Sequence, residues 1–416
     1  MKKLYQDAHT LINESIEANL PDTAVRNALK NHRFGGPVSV LAIGKAAWTM
    51  ADAAQKELGN TIKHGIVITK YKHAQGAIPG FEIIEAGHPV SDENTIKGTE
   101  KALEMAKGLS AGDELLFLIS GGGSALFEKP LPGLTLADIV DVNNQLLASG
   151  ADIVEINMIR KRLSSVKAGH FAQICAPAKV FTVVLSDVLG DRLDSIASGP
   201  AAPDVSTAED ALKVAQKYRL NLTGTVKKYL AEETPKSLNN VETVITGSVR
   251  TFCQSAANLA RGLGYTPYVL CTEMNCEAKE AGRLMAAMAR DIDREESAFR
   301  RPCAVILGGE TVVHLTGTGG KGGRNQEIAL AAVGGIAGLE KTIVFSVGSD
   351  GTDGPTDAAG GIVDGTTADK LKAAGINIAS CLQANADYEA LNAVNALILT
   401  GPTGTNVNDI SVILAG

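Results

Sequence analysis

Short apolar runs rich in β-branched residues punctuate the chain, with longer helical patterns between them. Val38 to Ile43 (VSVLAI), Gly65 to Thr69 (GIVIT), Glu114 to Ile119 (ELLFLI) and Val180 to Leu185 (VFTVVL) each close on Gly, Ser, Asp or Lys, and a helix-like stretch usually follows. Strands that are apolar throughout are buried on both faces, so this alternation predicts a largely parallel sheet covered by helices. A second set comprises Thr243 to Ile245, Thr266 to Leu270, Ala304 to Leu307, Thr342 to Val347 and Ala396 to Thr400. The polar, proline-containing stretch Ala231 to Asn240 (AEETPKSLNN) separates the sets. It predicts two α/β domains, 1–237 and 238–416, with the boundary good to several residues.

In sheets of this kind ligands sit beyond the carboxyl ends of the strands, so the residues just after each run are the candidates for chemistry. The first strand ends in Ala42-Ile-Gly-Lys45-Ala-Ala, a lysine where a helix begins. Backbone N–H groups and an ammonium together attract phosphate or carboxylate there, although a solvated lysine would look the same. The ELLFLI strand runs into Ser120, Gly121, Gly122, Gly123 and Ser124. An ordinary turn needs one glycine, whereas three permit a close backbone approach and a nest of N–H groups for an anion. Asp187 and Asp191 follow the VFTVVL strand. Mg²⁺ needs only one or two carboxylates when phosphates and water complete its shell, and Asp187 lies nearer the strand end. Helix capping is the plainer use of either acid.

Arg160, Lys161, Arg162 and Lys167 concentrate positive charge between Asn157 and Lys167. Such a run is often a solvated helix face, but beside a glycine nest it could balance a phosphate chain. Glu310 closes Leu307-Gly-Gly-Glu310, and Thr316 to Glu327 (TGTGGKGGRNQE) carries Lys321 in a glycine loop and Arg324 at a helix entrance. That loop resembles a phosphate-covering or substrate-clamping element, and it is not a Walker A motif because Gly322 follows Lys321. Asp350, Asp353 and Asp357 follow another buried strand without EF-hand spacing. They could hold Mg²⁺, accept a hydroxyl proton, or only close turns.

Composition narrows the field. The 416 residues are 45% hydrophobic and 20% charged, with a net charge of -7, so a large core is affordable and a basic nucleic-acid face is not expected. Aromatic residues at 4% argue against base stacking. The start, MKKLYQDAHTLINESIEANL, reads as an amphipathic helix without a signal-peptide core, and no run nears 18 apolar residues, so a cytoplasmic location with no membrane partner is expected. Six cysteines with no CxxC read as reduced, buried thiols. No G-x-G-x-x-G directly follows a strand and no G-x-S-x-G elbow exists, which disfavours dinucleotide enzymes and hydrolases.

Glycine nests, scattered cations and strand-end acids suit phosphoryl transfer, which needs positioning and charge neutralisation more than covalent chemistry. The segments AIGKAA, GHPVSDENT, LISGGGSAL, VEINMIRKRLSSVKAGH, VVLSDVLGDRLDSIASGPAAPD, LGGET, GKGGRNQE, SVGSDGTDGPTDAAGG and GPTGTNVNDI resemble, in that order, those of the class II glycerate kinases with a carboxyl-terminal MOFRL domain. The resemblance implies a Rossmann-like three-layer amino-terminal domain, a smaller α/β second domain and an active site in the cleft between them. It implies transfer of phosphate from ATP, with Mg²⁺, to the 2-hydroxyl of D-glycerate; a monomer or homodimer is expected. It casts Lys45 and Arg324 as catalytic. With it, Asp187 is expected to be catalytic or metal-binding, Asp350 and Asp353 to assist with metal, and Ser120 to Ser124, Arg160, Glu310 and Lys321 to bind substrate or phosphate. An NAD(P)H-dependent hydroxypyruvate reductase, a label some relatives carry, and a non-catalytic sugar-acid binder are the other readings.

Overall fold

The computed structural model describes residues 1–317 and 319–416; Thr318, inside the glycine loop singled out above, lies outside the described residues. The chain forms two compact units, one of residues 24–246 and one of residues 1–23 with 247–416.

The 24–246 unit is built on six strands: β1 (Val38–Ile43), β2 (Ile62–Lys70), β3 (Phe81–Ala86), β4 (Glu114–Ile119), β5 (Lys179–Leu185) and β6 (Val241–Gly247). Their order is β3-β2-β1-β4-β5-β6, and the pairs from β3 through to β5 are parallel. This is the Rossmann order, and it reverses direction between β1 and β4. A ligand crevice is expected outside the carboxyl ends of those two strands, because the connections leave them on opposite faces of the sheet. Strands β1, β4 and β5 are buried along nearly their whole length, and Leu41, Ile43, Leu115, Phe117 and Val184 pack one core with Phe127, Val166 and Phe171. A separate helical core around Ile139, Leu146, Ile159, Leu163 and Leu230 lies in the same unit.

The other unit carries β7 (Thr266–Met274), β8 (Cys303–Gly309), β9 (Thr342–Gly348), β10 (Gly360–Asp364), β11 (Leu397–Ile398) and β12 (Asp409–Ala415). The order is β11-β10-β9-β12-β8-β7, and only β7 and β8 pair in parallel. The expectation of largely parallel pairing therefore fails here. The last strand of the chain inserts antiparallel between β8 and β9, so its first residue, Asp409, lies opposite the final residues of both, Gly309 and Gly348.

The boundary also differs from the expected 237/238. Thr243 to Ile245, read as the start of the second set, belongs to β6 at the edge of the first sheet. The first helix, Lys2–Glu17, joins the carboxyl-terminal unit, tied there by Tyr5 to Asp364 (3.0 Å), Tyr265 to Asp7 (2.7 Å) and Thr405 to the Asn19 carbonyl (2.8 Å). Helical periodicity marks an element and its buried face, but not which distant segment covers that face. All six cysteines are unbridged; Cys175, Cys253 and Cys303 are buried, whereas Cys276 is exposed, contrary to the expectation. No helix of the described residues is long and apolar enough to cross a membrane.

Candidate active site

In the 24–246 unit, the turns after β1 and β4 are sewn together at the point where the strand order reverses. The Lys45 amide donates to the Gly121 carbonyl at 2.8 Å, and Ser120 accepts from the Ala46 amide at 3.1 Å while donating to the Ile43 carbonyl at 3.1 Å. Thr69, at the end of β2, bonds the Gly44 carbonyl at 3.0 Å. Lys45 and the Ser120 to Ser124 turn are thereby fixed as one surface.

The run of glycines has a steric cause. A Cβ on Gly121 would fall on the Asp187 carboxylate, 3.0 Å from its Cγ. Gly122 has φ +85, and a Cβ there would lie 3.0 Å from Nε2 of His88 and 3.3 Å from Cγ of Lys45. Any side chain would displace these groups, so the turn must stay bare for Asp187, Lys45 and His88 to approach it. Ser124 bonds Ser198 at 3.0 Å, within a segment where Ala197 and Ser198 both adopt positive φ (+50 and +61). Backbone strain of this kind costs about 1–3 kcal/mol per residue and concentrates at functional turns.

The basic run resolves into different roles. Lys161 pairs with Asp194 (2.9 Å) and Asp204 (3.5 Å), and fully buried Arg162 pairs with Asp204 (3.2 Å). Lys167, also fully buried, binds Glu128 and donates to the carbonyls of Ser124 (2.9 Å) and Phe127 (3.3 Å), so it braces the glycine turn from within the core. These three cations are spent on buried acids and backbone and are not counter-charge for phosphate. Arg160 remains half-buried, with Glu128 as its charged neighbour.

The second constellation lies in the 1–23/247–416 unit. Arg324 opens the helix Arg324–Ile336 and is held by two acids: Nε and Nη2 donate to the two oxygens of Asp409 (2.5 and 3.2 Å), and Nη1 donates to Glu310 (3.1 Å). Asn408 donates to the other Glu310 oxygen at 3.0 Å. Glu310 follows β8 and Asp409 begins β12, so the antiparallel insertion of the last strand is what brings them together. The Arg324 side chain keeps 32% of its surface exposed, so the fork is fixed on one side and open on the other. Burial pushes the Asp409 carboxyl up to about 6 despite the opposing pull of Arg324. Burial alone would lower the Arg324 guanidinium, but Asp409 and Glu310 more than reverse that and hold it charged.

Asp353, expected to assist with metal, has another job. It is buried, and its carboxylate accepts from the amides of Asn325 (3.2 Å) and Gln326 (2.9 Å) and from the Gln326 side chain (3.0 Å), capping the helix that carries Arg324. Asp350 is half-buried and accepts from the Thr352 amide at 3.0 Å, which is a turn-closing contact. Lys321 is exposed on its loop. Among the described residues no three His, Cys, Asp or Glu side chains are grouped to hold a metal. A magnesium ion arriving on phosphates needs no such cage, and Asp187 beside the bare Gly121 is a carboxylate suited to it.

Residues 7–231 match the family described as a domain of unknown function (DUF4147), and residues 303–409 match the MOFRL family. A D-glycerate 2-kinase from Thermotoga maritima is 52% identical over 99% of this chain and 98% of its own length. The chain belongs to the glycerate kinase family with a carboxyl-terminal MOFRL domain. A solved glycerate kinase structure from Thermotoga maritima, 51% identical, superposes with a TM-score of 0.96 over all of both chains. A relative from Agrobacterium vitis, 39% identical over 95% of this chain and 91% of its own, bears the provisional name hydroxypyruvate reductase.

In this glycerate kinase family member the sequence motifs single out Lys45, the glycine turn and Arg324, but not the side chains that surround them. Asp409 and Asn408 sit inside GPTGTNVNDI and His88 inside GHPVSDENT, and nothing in local pattern separates them from turn residues. A third missed group is Asp387, buried against Gly322 with neither carboxyl oxygen hydrogen-bonded. Burial, then Glu327 beside it, pushes its carboxyl from 3.8 up to about 8. The folded value lies above the unfolded one, so this residue's contribution to stability is present below 3.8 and is lost as pH rises through about 8. The Tm advantage of Asp387→Asn over the wild type should therefore widen between about pH 5 and pH 8. Thermal unfolding across that range checks it, and a gap that does not change with pH would rule it out.

Proposed function

We propose that the protein transfers the γ-phosphoryl group of ATP, as its magnesium complex, to the 2-hydroxyl of D-glycerate, giving 2-phospho-D-glycerate and ADP in the cytoplasm. One observation carries the reading: at the reversal of the sheet, Lys45, Asp187 and a side-chain-free Gly121–Gly122 turn share one surface. Backbone amides of a glycine turn and an ammonium suit the phosphates, and the strand-end carboxylate suits their magnesium.

On this reading Lys45 neutralises charge on the migrating phosphoryl group. Backbone amides of Gly121 to Ser124, with Arg160, hold phosphate or the glycerate carboxylate. Asp187 holds magnesium, with Asp350 as a further candidate. The Arg324 fork serves the same transfer: Asp409 and Glu310 hold it planar and charged, and its open edge takes phosphoryl oxygens. Lys321 adds charge on the glycine loop. When bound, magnesium would neutralise the β- and γ-phosphate oxygens.

Phosphorus NMR of the product from ATP, Mg²⁺ and D-glycerate tests the reading and separates the 2-phosphate from the 3-phosphate. Oxidation of NADH with hydroxypyruvate, in the absence of ATP, would support the reductase instead. Lys45→Ala should lower kcat by about 10²-fold, the scale of losing one donor to the transition state. Steady-state kinetics of the purified variant checks this, and near-normal turnover would remove Lys45 from its role.

A further inference from the structure

His88 stands in the loop after β3, and its ring is at the site rather than merely near it. The Nε2 edge of the imidazole and the stem of Lys45 flank the same bare Gly122. The other histidines of this region are engaged: His73 Nδ1 bonds the Lys45 carbonyl at 3.0 Å, and His170 Nδ1 bonds the Ser164 carbonyl at 3.1 Å. His88 has no such contact among the described residues. What acts on it is burial, followed by the ammonium groups of Lys45 and Lys70 and by the neighbouring His73, and all lower its proton affinity. Two acids of the adjoining segments are turned elsewhere: Asp92 accepts from Tyr71 (2.6 Å) and Thr95 (3.0 Å), and Glu85 from the amides of His73 and Ala74 (both 3.0 Å), while Asp187 borders the adjacent Gly121.

A base kept uncharged inside a cationic patch adds nothing to phosphate neutralisation. Its free lone pair can accept a proton. Among the reactants of the transfer proposed above, the acceptor hydroxyl is the group that must lose one.

We propose that His88 is the proton acceptor of the reaction, an inference that rests on the glycerate kinase reading. The O–H bond of the acceptor hydroxyl breaks as an N–H bond forms on the imidazole. The hydroxyl oxygen bonds to the γ-phosphorus, the bond from that phosphorus to the β,γ-bridging oxygen breaks, and its electron pair leaves with ADP. The imidazolium, crowded by the Lys45 and Lys70 ammonium groups, returns its proton to solvent. Asp187 is a poorer acceptor, because a carboxylate that holds magnesium has its lone pairs engaged.

His88→Gln tests this in the full-length protein. The expected result is a fall in kcat of about 10²-fold with little change in KM for D-glycerate or ATP. Wild-type kcat/KM should decline in acid with a midpoint below the ordinary histidine value of about 6.5, and this limb should vanish in His88→Gln. Lys70→Met, which removes one positive neighbour, should move the limb to higher pH while leaving the plateau rate in place. Proton NMR of the ring, assigned by difference from His88→Gln, should give the same midpoint. An active wild type whose His88→Gln variant keeps its rate and limb, or loses only KM, overturns the role of His88 alone. An inactive wild type overturns the glycerate kinase reading itself.

Discussion

Arg324→Ala is expected to lower kcat by about 10²–10³-fold, equivalent to about 2.7–4 kcal/mol of transition-state stabilisation. The argument starts from the fork. Two guanidinium nitrogens are fixed on Asp409 and a third on Glu310, so the plane is set before any substrate arrives and no ordering cost falls on the reaction. The helix start that carries Arg324 is itself capped by buried Asp353. Lysine at this position should not restore activity, because a point charge cannot span Asp409 and Glu310 together. Loss of the arginine leaves Asp409 buried without its cation. Burial already holds that carboxyl at about 6, so it can take up a proton near neutrality, which limits the structural damage. If Arg324 and Lys45 act on one phosphoryl group, the double variant should lose far less than the product of the two single losses, because groups that work as a unit are not additive. Steady-state kinetics on the two single variants and the double decides it. Multiplying losses would separate the two constellations, and wild-type turnover in Arg324→Ala would end the assignment.

Lys167→Met should destabilise the 24–246 unit by about 3–5 kcal/mol, the usual cost of stranding one member of a buried ion pair. Lys167 is wholly inaccessible and Glu128 has 2% of its side chain exposed, so water cannot replace the lost ammonium. One Glu128 oxygen already lacks a hydrogen-bond partner, and without Lys167 the carboxylate keeps only the charge of the neighbouring Arg160. The substitution also frees the Ser124 carbonyl, so the rate should fall as well as the stability. Lys167→Met combined with Glu128→Leu should recover much of the stability, since an apolar pair of similar size avoids desolvating two charges. Thermal and urea unfolding of wild type, single and double variants measures this. An unchanged midpoint for Lys167→Met would show that the buried pair does not hold the unit.

Several elements could be read directly from the chain. The runs VSVLAI and ELLFLI match β1 and β4 residue for residue, and the residues just past them, Lys45 and Ser120 to Ser124, are where the strand order reverses. The run at Ala396 to Thr400 shrank to the two-residue β11, and β3, β10 and β12 were not foreseen. β12 (DISVILA) is as apolar as any strand that was recognised, but it follows a turn-rich stretch with no helix before it. The order of an antiparallel insertion is not written in such a run.

The sequence by itself determined which stretches become buried strands, that glycine and lysine must follow them, and that the chain belongs with phosphoryl-transfer chemistry. Each of these is a property of neighbours along the chain: apolar runs seek burial, and bare turns admit anions. Only the tertiary structure decided that Asp409 holds Arg324 from 85 residues away, that Lys161, Arg162 and Lys167 serve buried acids, and that Asp353 caps a helix. A charged side chain takes its role from the partner that compensates it once water is gone, and that partner is chosen by packing between segments far apart in the chain.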